Sequence, residues 1–197
     1  AGPSEIGVIA DESANPVHLA ADLLSQAEHD PRARAIMVTN SEKLAQLVSD
    51  EVERQLSQLP RESIARPAIE NNSYIAVMDS VEDMFTVMNE VAPEHLEIQL
   101  PDPMEYMSMV ENAGSVFLGR YASEPLGDYV GGTNHVLPTS GTAKFSSPLG
   151  VYDFVKRISF TQFSRERLQE VAKDITTLAR TEGLEAHARA IEVRFEK

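Results

Sequence analysis

The sequence predicts an α/β fold, a parallel sheet flanked by helices, followed by a helical C-terminal tail. Three observations predict it. From Ser4 to about Gly119, short β-rich runs alternate with stretches of helical periodicity, the pattern of parallel strands joined by helical crossovers. Between residues 119 and 150 the texture changes, because six of the ten glycines fall there together with Pro125, Pro138 and Pro148. From Val151 onward helical periodicity returns without intervening strands. These shifts place one α/β domain over residues 1–148 and a helical tail over 149–197.

Each element has a local reason. Ile6, Val8 and Ile9 mark the first strand. Asn15 can cap the next helix, and Pro16 sits in its first turn, where a missing N–H costs nothing; this helix runs to about His29. Ala35-Ile36-Met37-Val38 reads as the second strand. Thr39 and Glu42 make a capping box that opens a helix through Leu44, Leu47, Val48 and Val52, and Pro60 stops it. Residues 61–70 add a short helix, and Tyr74 to Met78 a third strand. Ser80 with Asp83 caps a helix bearing Val81, Met84, Phe85 and Met88, ended by Pro93. Leu96 to Leu100 is the fourth strand, Asp102-Pro103 opens a further helix, and Ser115 to Leu118 is the fifth strand. The glycine-rich stretch that follows reads as a long ordered loop, and loops of that length inside a domain usually bind something. In the tail, helices cover Val151 to Ile158, Arg165 to about Glu182 and, past Gly183, Leu184 to Phe195. Its apolar positions, among them Leu168, Val171, Ile175, Leu178 and Ile191, are too few for a core of their own, so the tail must pack on the main domain or on another chain.

Composition narrows the function. Against 31 Asp and Glu the chain carries 17 Lys and Arg, a net charge of −14 that repels phosphate backbones and anionic bilayers, so neither nucleic acid nor membrane is expected as a partner. The absence of cysteine excludes disulfides, thiolate metal sites and thiol nucleophiles. No apolar run approaches the roughly 20 residues of a bilayer crossing, and no basic-then-apolar leader opens the sequence, which points to a cytoplasmic protein. The opening Ala1-Gly2-Pro3-Ser4 lacks a Met and runs at once into a strand, as in a piece of a longer chain.

Four places could carry chemistry. Gln26 and His29 are spaced i, i+3, so on a helix both leave one face and could grip a small target; the same spacing also fits a solvated helix end. Glu94 adjoins His95 where a helix gives way to a strand, the pairing a general base needs, although such pairs also occur on plain surfaces. If that strand is parallel, the pair stands at its start, opposite the carboxyl edge where α/β sheets usually bind ligands. Within the glycine-rich stretch, Asp128 and His135 are a hard and a borderline metal donor beside backbone that can approach a ligand closely, or simply part of a turn cluster. Glu182 and His187 flank the Gly183 break; alone they read as helix-surface residues.

The strings AGPSE, DLLSQAEHD, NEVAPEHLEI, NAGSVFLG, GDYVGGTNHVLPTSGTAKFSS and TEGLEAHARA, in that order, resemble histidinol dehydrogenase. The resemblance runs from residue 1 to 197 and corresponds to the C-terminal half of that enzyme. It implies an incomplete Rossmann-like domain and a reaction in which L-histidinol is oxidised through the aldehyde to L-histidine, with two hydride transfers to NAD and one zinc per subunit. Carried over by motif, the zinc ligands are Gln26, His29, Asp128 and His187, the last reaching in from a partner subunit, which implies a homodimer with exchanged tails. A carboxamide and a single carboxylate leave such an ion partly positive. Glu94 and His95 match the family's base pair, His95 accepting the alcohol proton and later activating water with Glu94 assisting. Ser4, His135 and Glu182 match substrate contacts, as do Gln26, His29, Glu94, His95, Asp128 and His187. The family's NAD-contacting residues lie mostly in its N-terminal half and are not assigned here. Gly7 and Lys144 depart from the family's pattern, where a larger apolar residue and an arginine are expected. Rivals from other classes are a metal-dependent hydrolase with Glu94 as base and an inactive, metal-stabilised dimerisation module.

Overall fold

In a computed structural model, which describes residues 2–196, the apolar runs form five strands: β1 (Glu5–Ala10), β2 (Arg34–Thr39), β3 (Tyr74–Val77), β4 (His95–Gln99) and β5 (Ser115–Leu118). Ala1, which opens the first of the quoted strings, and Lys197, the end of the tail, lie outside the described residues. The strands make one sheet in the order β3-β2-β1-β4-β5, every neighbouring pair parallel. Parallel pairing forces each crossover to run back against the strands. The helices α1 (Pro16–Ala27), α2 (Glu42–Leu56) and α4 (Val81–Val91) do this and end near the amino edge of the sheet, where α3 (Glu62–Asn72) follows α2 before β3 begins.

Two apolar clusters cover the two faces. On one, Ile6, Val8 and Ala10 of β1 meet Leu19, Leu23 and Leu24 of α1 and Leu44, Val48 and Leu56 of α2. On the other, Ile9, Leu96 and Ile98 meet Met84, Phe85 and Met88 of α4. Gly7 explains its own departure from the family's pattern, since a Cβ there would collide with Met88 Sδ and come 2.9 Å from Pro93 Cγ. Its absence lets the end of α4 lie against β1. Lys144, the other departure, pairs its Nζ with Glu90 Oε2 at 2.8 Å.

Several local expectations are corrected. The cap of α2 is Ser41, whose Oγ accepts from Leu44 N–H at 3.2 Å. Thr39 is held in β2 by its pairing with Val77, so the chain bends at Asn40 and the cap falls to Ser41. That helix ends at Leu56, ahead of Pro60. Pro103–Met109 is a 3₁₀ segment rather than an α-helix, preceded by Asp102 at φ 47° without a side-chain cap. The glycine-rich stretch is not all loop, because it contains the short helix α5 (Pro125–Tyr129). Of the expected helix over Val151 to Ile158 only the 3₁₀ turn Val151–Phe154 forms. Tyr152, Phe154 and Phe160 stand exposed there, so this stretch buries no apolar face that could pay for the ordering of a helix.

The chain divides into units of residues 1–154 and 155–197. The second consists of α6 (Arg165–Thr181), capped by Ser164, and α7 (Glu185–Glu192), joined at Gly183 with φ +76° and cross-linked by Arg180 to Glu185 and Glu192. Among its described residues only Ala179 and Ala188 are fully buried. Leu178 is 66% exposed, as expected of a tail without its own core.

Candidate active site at the amino edge of the sheet

Strand β4 has two different faces. Leu96 and Ile98 enter the apolar cluster shared with α4, while His95, Glu97 and Gln99, all buried, alternate onto the face that α1 covers. This polar stripe runs up the centre of the domain. At its foot His95 lies beside the start of β1, with Nδ1 3.0 Å from the Glu5 carbonyl oxygen. A carbonyl can only accept, so Nδ1 carries the ring hydrogen and Nε2 keeps its lone pair. Glu94 is anchored at the same point, its Oε2 accepting from Glu5 N–H at 3.0 Å and lying 3.6 Å from His95 Nδ1. Burial pushes the Glu94 carboxyl up to about 7, although the Glu5 N–H bond draws it back. Burial pushes the His95 imidazole the other way, below its ordinary value.

The chain after β5 completes the site. Leaving the carboxyl edge at Gly119, whose N–H bonds Ile98 O, it comes back along the α1 face. Ser123 Oγ bonds Asp22 Oδ1 at 2.7 Å, and Glu124 N–H bonds Glu97 Oε1 at 2.9 Å. α5 then lies on Phe117, an approach that requires Gly127, since a Cβ there would sit 2.7 Å from the ring. The result brings Glu124 Oε1 to 3.4 Å from His95 Nε2 and gathers ligand atoms of His95, Glu124 and Asp128 within 4.8 Å of one another. Burial and the nearby Asp128 raise the Glu124 carboxyl to about 7.

Of the residues singled out from the sequence, Gln26 is buried at the last turn of α1, close enough to Glu124 to favour its charged form. His29 follows it, exposed, and near enough to His95 to disfavour a second positive charge. Asp128 is exposed on α5 and acts electrostatically on Glu94, His95 and Glu124. Ser4 precedes β1 at the same edge, where its carbonyl accepts from Arg34 N–H. His135 stands exposed farther along the glycine-rich stretch. Glu182 and His187 belong to the second unit and are exposed there. Sequence reasoning missed Glu124, Asp22 and Glu97. Two signals were present: Glu124 and Asp128 are spaced i, i+4, and Glu97 interrupts the otherwise apolar run Leu96–Ile98 of a central strand.

Three polar side-chain atoms here, His95 Nε2, Glu124 Oε1 and Gln26 Nε2, are buried without a hydrogen-bond partner; the first two are acceptors and the third is a donor. Two lone pairs facing each other across 3.4 Å, as His95 Nε2 and Glu124 Oε1 do, are stable only with a proton or a cation near them. The Gln26 carboxamide oxygen, the His29 imidazole and the Asp128 carboxylate are a donor set that suits a borderline divalent ion such as zinc, and they leave His95 Nε2 outside it.

Comparison with known proteins gives one family. The family model described as Histidinol dehydrogenase matches residues 1–195. Histidinol dehydrogenase of Lactiplantibacillus plantarum is 66% identical over 196 residues, covering 100% of this chain and 46% of the relative. That of Streptococcus mutans is 64% identical over 197 residues, with the same coverage of each. The crystal structure of histidinol dehydrogenase from Elizabethkingia anophelis superposes with a TM-score of 0.84 at 43% identity, over 100% of this chain and 45% of that one. The chain thus spans about half the length of the relatives it matches.

Proposed function

From the premise that this chain belongs to the histidinol dehydrogenase family, we propose that it supplies the proton-transfer and metal-binding half of an NAD-linked enzyme that oxidises L-histidinol through the aldehyde to L-histidine. The observation that carries this reading is the His95 imidazole, buried, fixed in one tautomer by the Glu5 carbonyl, and presenting an unpartnered Nε2 at the amino edge. A base held in that way needs no reorganisation to accept a proton. In the first oxidation Nε2 would take the proton from the alcohol oxygen, and after giving it up to solvent it would take one from the water that adds to the aldehyde; NAD, when bound, would supply the hydride acceptor for the carbinol carbon in each oxidation. Glu94, held on Glu5 N–H, assists by keeping carboxylate charge beside the imidazolium.

Zinc, one per subunit, would be held by Gln26, His29 and Asp128 with His187 from a partner subunit, and when bound it supplies positive charge that orients the substrate's imidazole and amine. Ser4, His135 and Glu182 are the further substrate contacts in this reading. The enzyme works as a homodimer with exchanged tails in the cytoplasm; among the described residues, no helix is long and apolar enough to cross a membrane.

The test is His95→Asn in the complete enzyme. Formation of NADH from histidinol should fall by about three orders of magnitude while zinc content by atomic absorption stays at the wild-type level. Near-normal turnover in the variant would remove His95 from the mechanism.

A further inference from the structure

We infer that the buried carboxyl pair Asp22–Glu97 is a positioning clamp, holding together the three chain segments that carry the site: α1 with Gln26 and His29, β4 with His95, and the 123–129 segment with Glu124 and Asp128. The inference rests on the active-site reading above for its purpose, but the clamp itself is drawn from contacts outside the donor cluster.

Glu97 is 0% exposed and Asp22 8%, and the two carboxyls, one on β4 and one on α1, are close enough to act on each other's charge. Neither belongs to the donor set. Asp22 lies one helical turn before Gln26, and Glu97 lies on the same face of β4 as His95. Of the pair's side-chain bonds, two go to the 123–129 segment and one goes to Gln99 farther along β4. Ser123 Oγ donates to Asp22 Oδ1 at 2.7 Å, Glu124 N–H to Glu97 Oε1 at 2.9 Å, and Gln99 Nε2 to Glu97 Oε2 at 2.9 Å. Two of these contacts pin the backbone one helical turn ahead of Asp128 across sequence separations of 101 and 27 residues. The 123–129 segment is otherwise weakly tied, with a five-residue helix whose Leu126 and Tyr129 are exposed.

Two acids side by side in a core need a proton between them. Burial raises both carboxyls, most strongly Glu97, which also feels the Asp22 charge, so Glu97 is the acid that donates and Asp22 the carboxylate that accepts. A Leu at 97 would match the apolar opposite face of β4, and buried ionisable pairs add little net stability over such a replacement. What a Leu cannot do is accept from Glu124 N–H or hold Asp22 toward Ser123.

The experiment is hydrogen exchange on the metal-free full chain, with zinc affinity measured separately. Glu97→Gln keeps an oxygen for Glu124 N–H and an N–H for Asp22, so exchange over residues 123–129 should stay within about threefold of wild type. Glu97→Leu should speed exchange there by about tenfold or more while the β1 and β4 amides keep their protection, and should weaken zinc binding by about 10- to 100-fold. A pair that merely stabilises the fold would speed the sheet amides equally. Unchanged exchange over 123–129 in Glu97→Leu, or equal damage in Glu97→Gln, overturns the clamp. Should Glu97→Leu fail to fold, Ser123→Ala removes one bond at a half-buried position and must still speed exchange over 123–129, or the clamp fails. A wild-type chain that binds no zinc but shows these exchange patterns would sink the active-site reading and leave the clamp standing.

Discussion

At Glu94 the chemistry of one carboxyl sets a measurable pH dependence. Its folded value, about 7, lies above that of an unfolded glutamate, so between about pH 4.5 and pH 7 the native state holds a proton that the unfolded chain releases. The stabilisation from this group is therefore complete at the acid end of that window and is lost as pH rises through 7. His95 works in the opposite sense, because its lowered value makes the native state lose stability as pH falls below about 6.5. A comparison with Glu94→Gln isolates the first effect. The variant keeps an oxygen to accept from Glu5 N–H, and its urea midpoint in metal-free protein should decline less than that of wild type between pH 5 and pH 7. Parallel curves for the two proteins over that window would contradict the raised carboxyl.

Among the elements, the end of α4 delivers the base pair, and it does so through a strained residue. Ala92, fully buried, caps the helix at φ 50°, in the left-handed region, and returns its N–H to Met88 O at 2.9 Å. This reversal aims Pro93 back toward Gly7 and starts β4 at His95. An alanine bears that conformation at a cost of about 1 kcal/mol, whereas a β-branched residue would add steric conflict in a site with no spare volume. Ala92→Val is expected to lower unfolding free energy by about 2–4 kcal/mol in urea titration, with Ala92→Gly within about 1 kcal/mol of wild type. A Val variant as stable as wild type would show that the turn can be rebuilt without the left-handed residue. The Glu94–His95 motif was legible in the sequence; the turn that presents it was not, because a positive φ at alanine has no signature in residue type.

Across the whole molecule, the proposed zinc ligands Gln26, His29 and Asp128 fall in the first unit and His187 in the second. If His187 serves a partner's site, subunits damaged at different positions should repair each other. In an equal mixture of His29→Ala and His187→Ala chains of the complete enzyme, half the dimers are mixed, and each mixed dimer has one site with both histidines intact. About one quarter of wild-type zinc and activity should return on mixing. No recovery after verified subunit exchange would place His187 in its own subunit's site. At this scale the sequence by itself determined the five strands and their crossovers, since period-2 and period-3.6 patterns are local and each apolar face must find cover. Its strings also determined the family and the residues Gln26, His29, Glu94, His95, Asp128 and His187 as candidates. The sequence put Glu94 and His95 at a strand's start; only the tertiary structure decided that this strand is parallel and which segments meet it at the amino edge. Parallel pairing returns the end of α1 to the point where β4 begins, and the 123–129 segment follows it back across the same face. The structure alone also brought Glu124, Asp22 and Glu97 into the account. A carboxyl's role depends on which distant backbone reaches it, and contacts across 27 and 101 residues leave no periodicity to read.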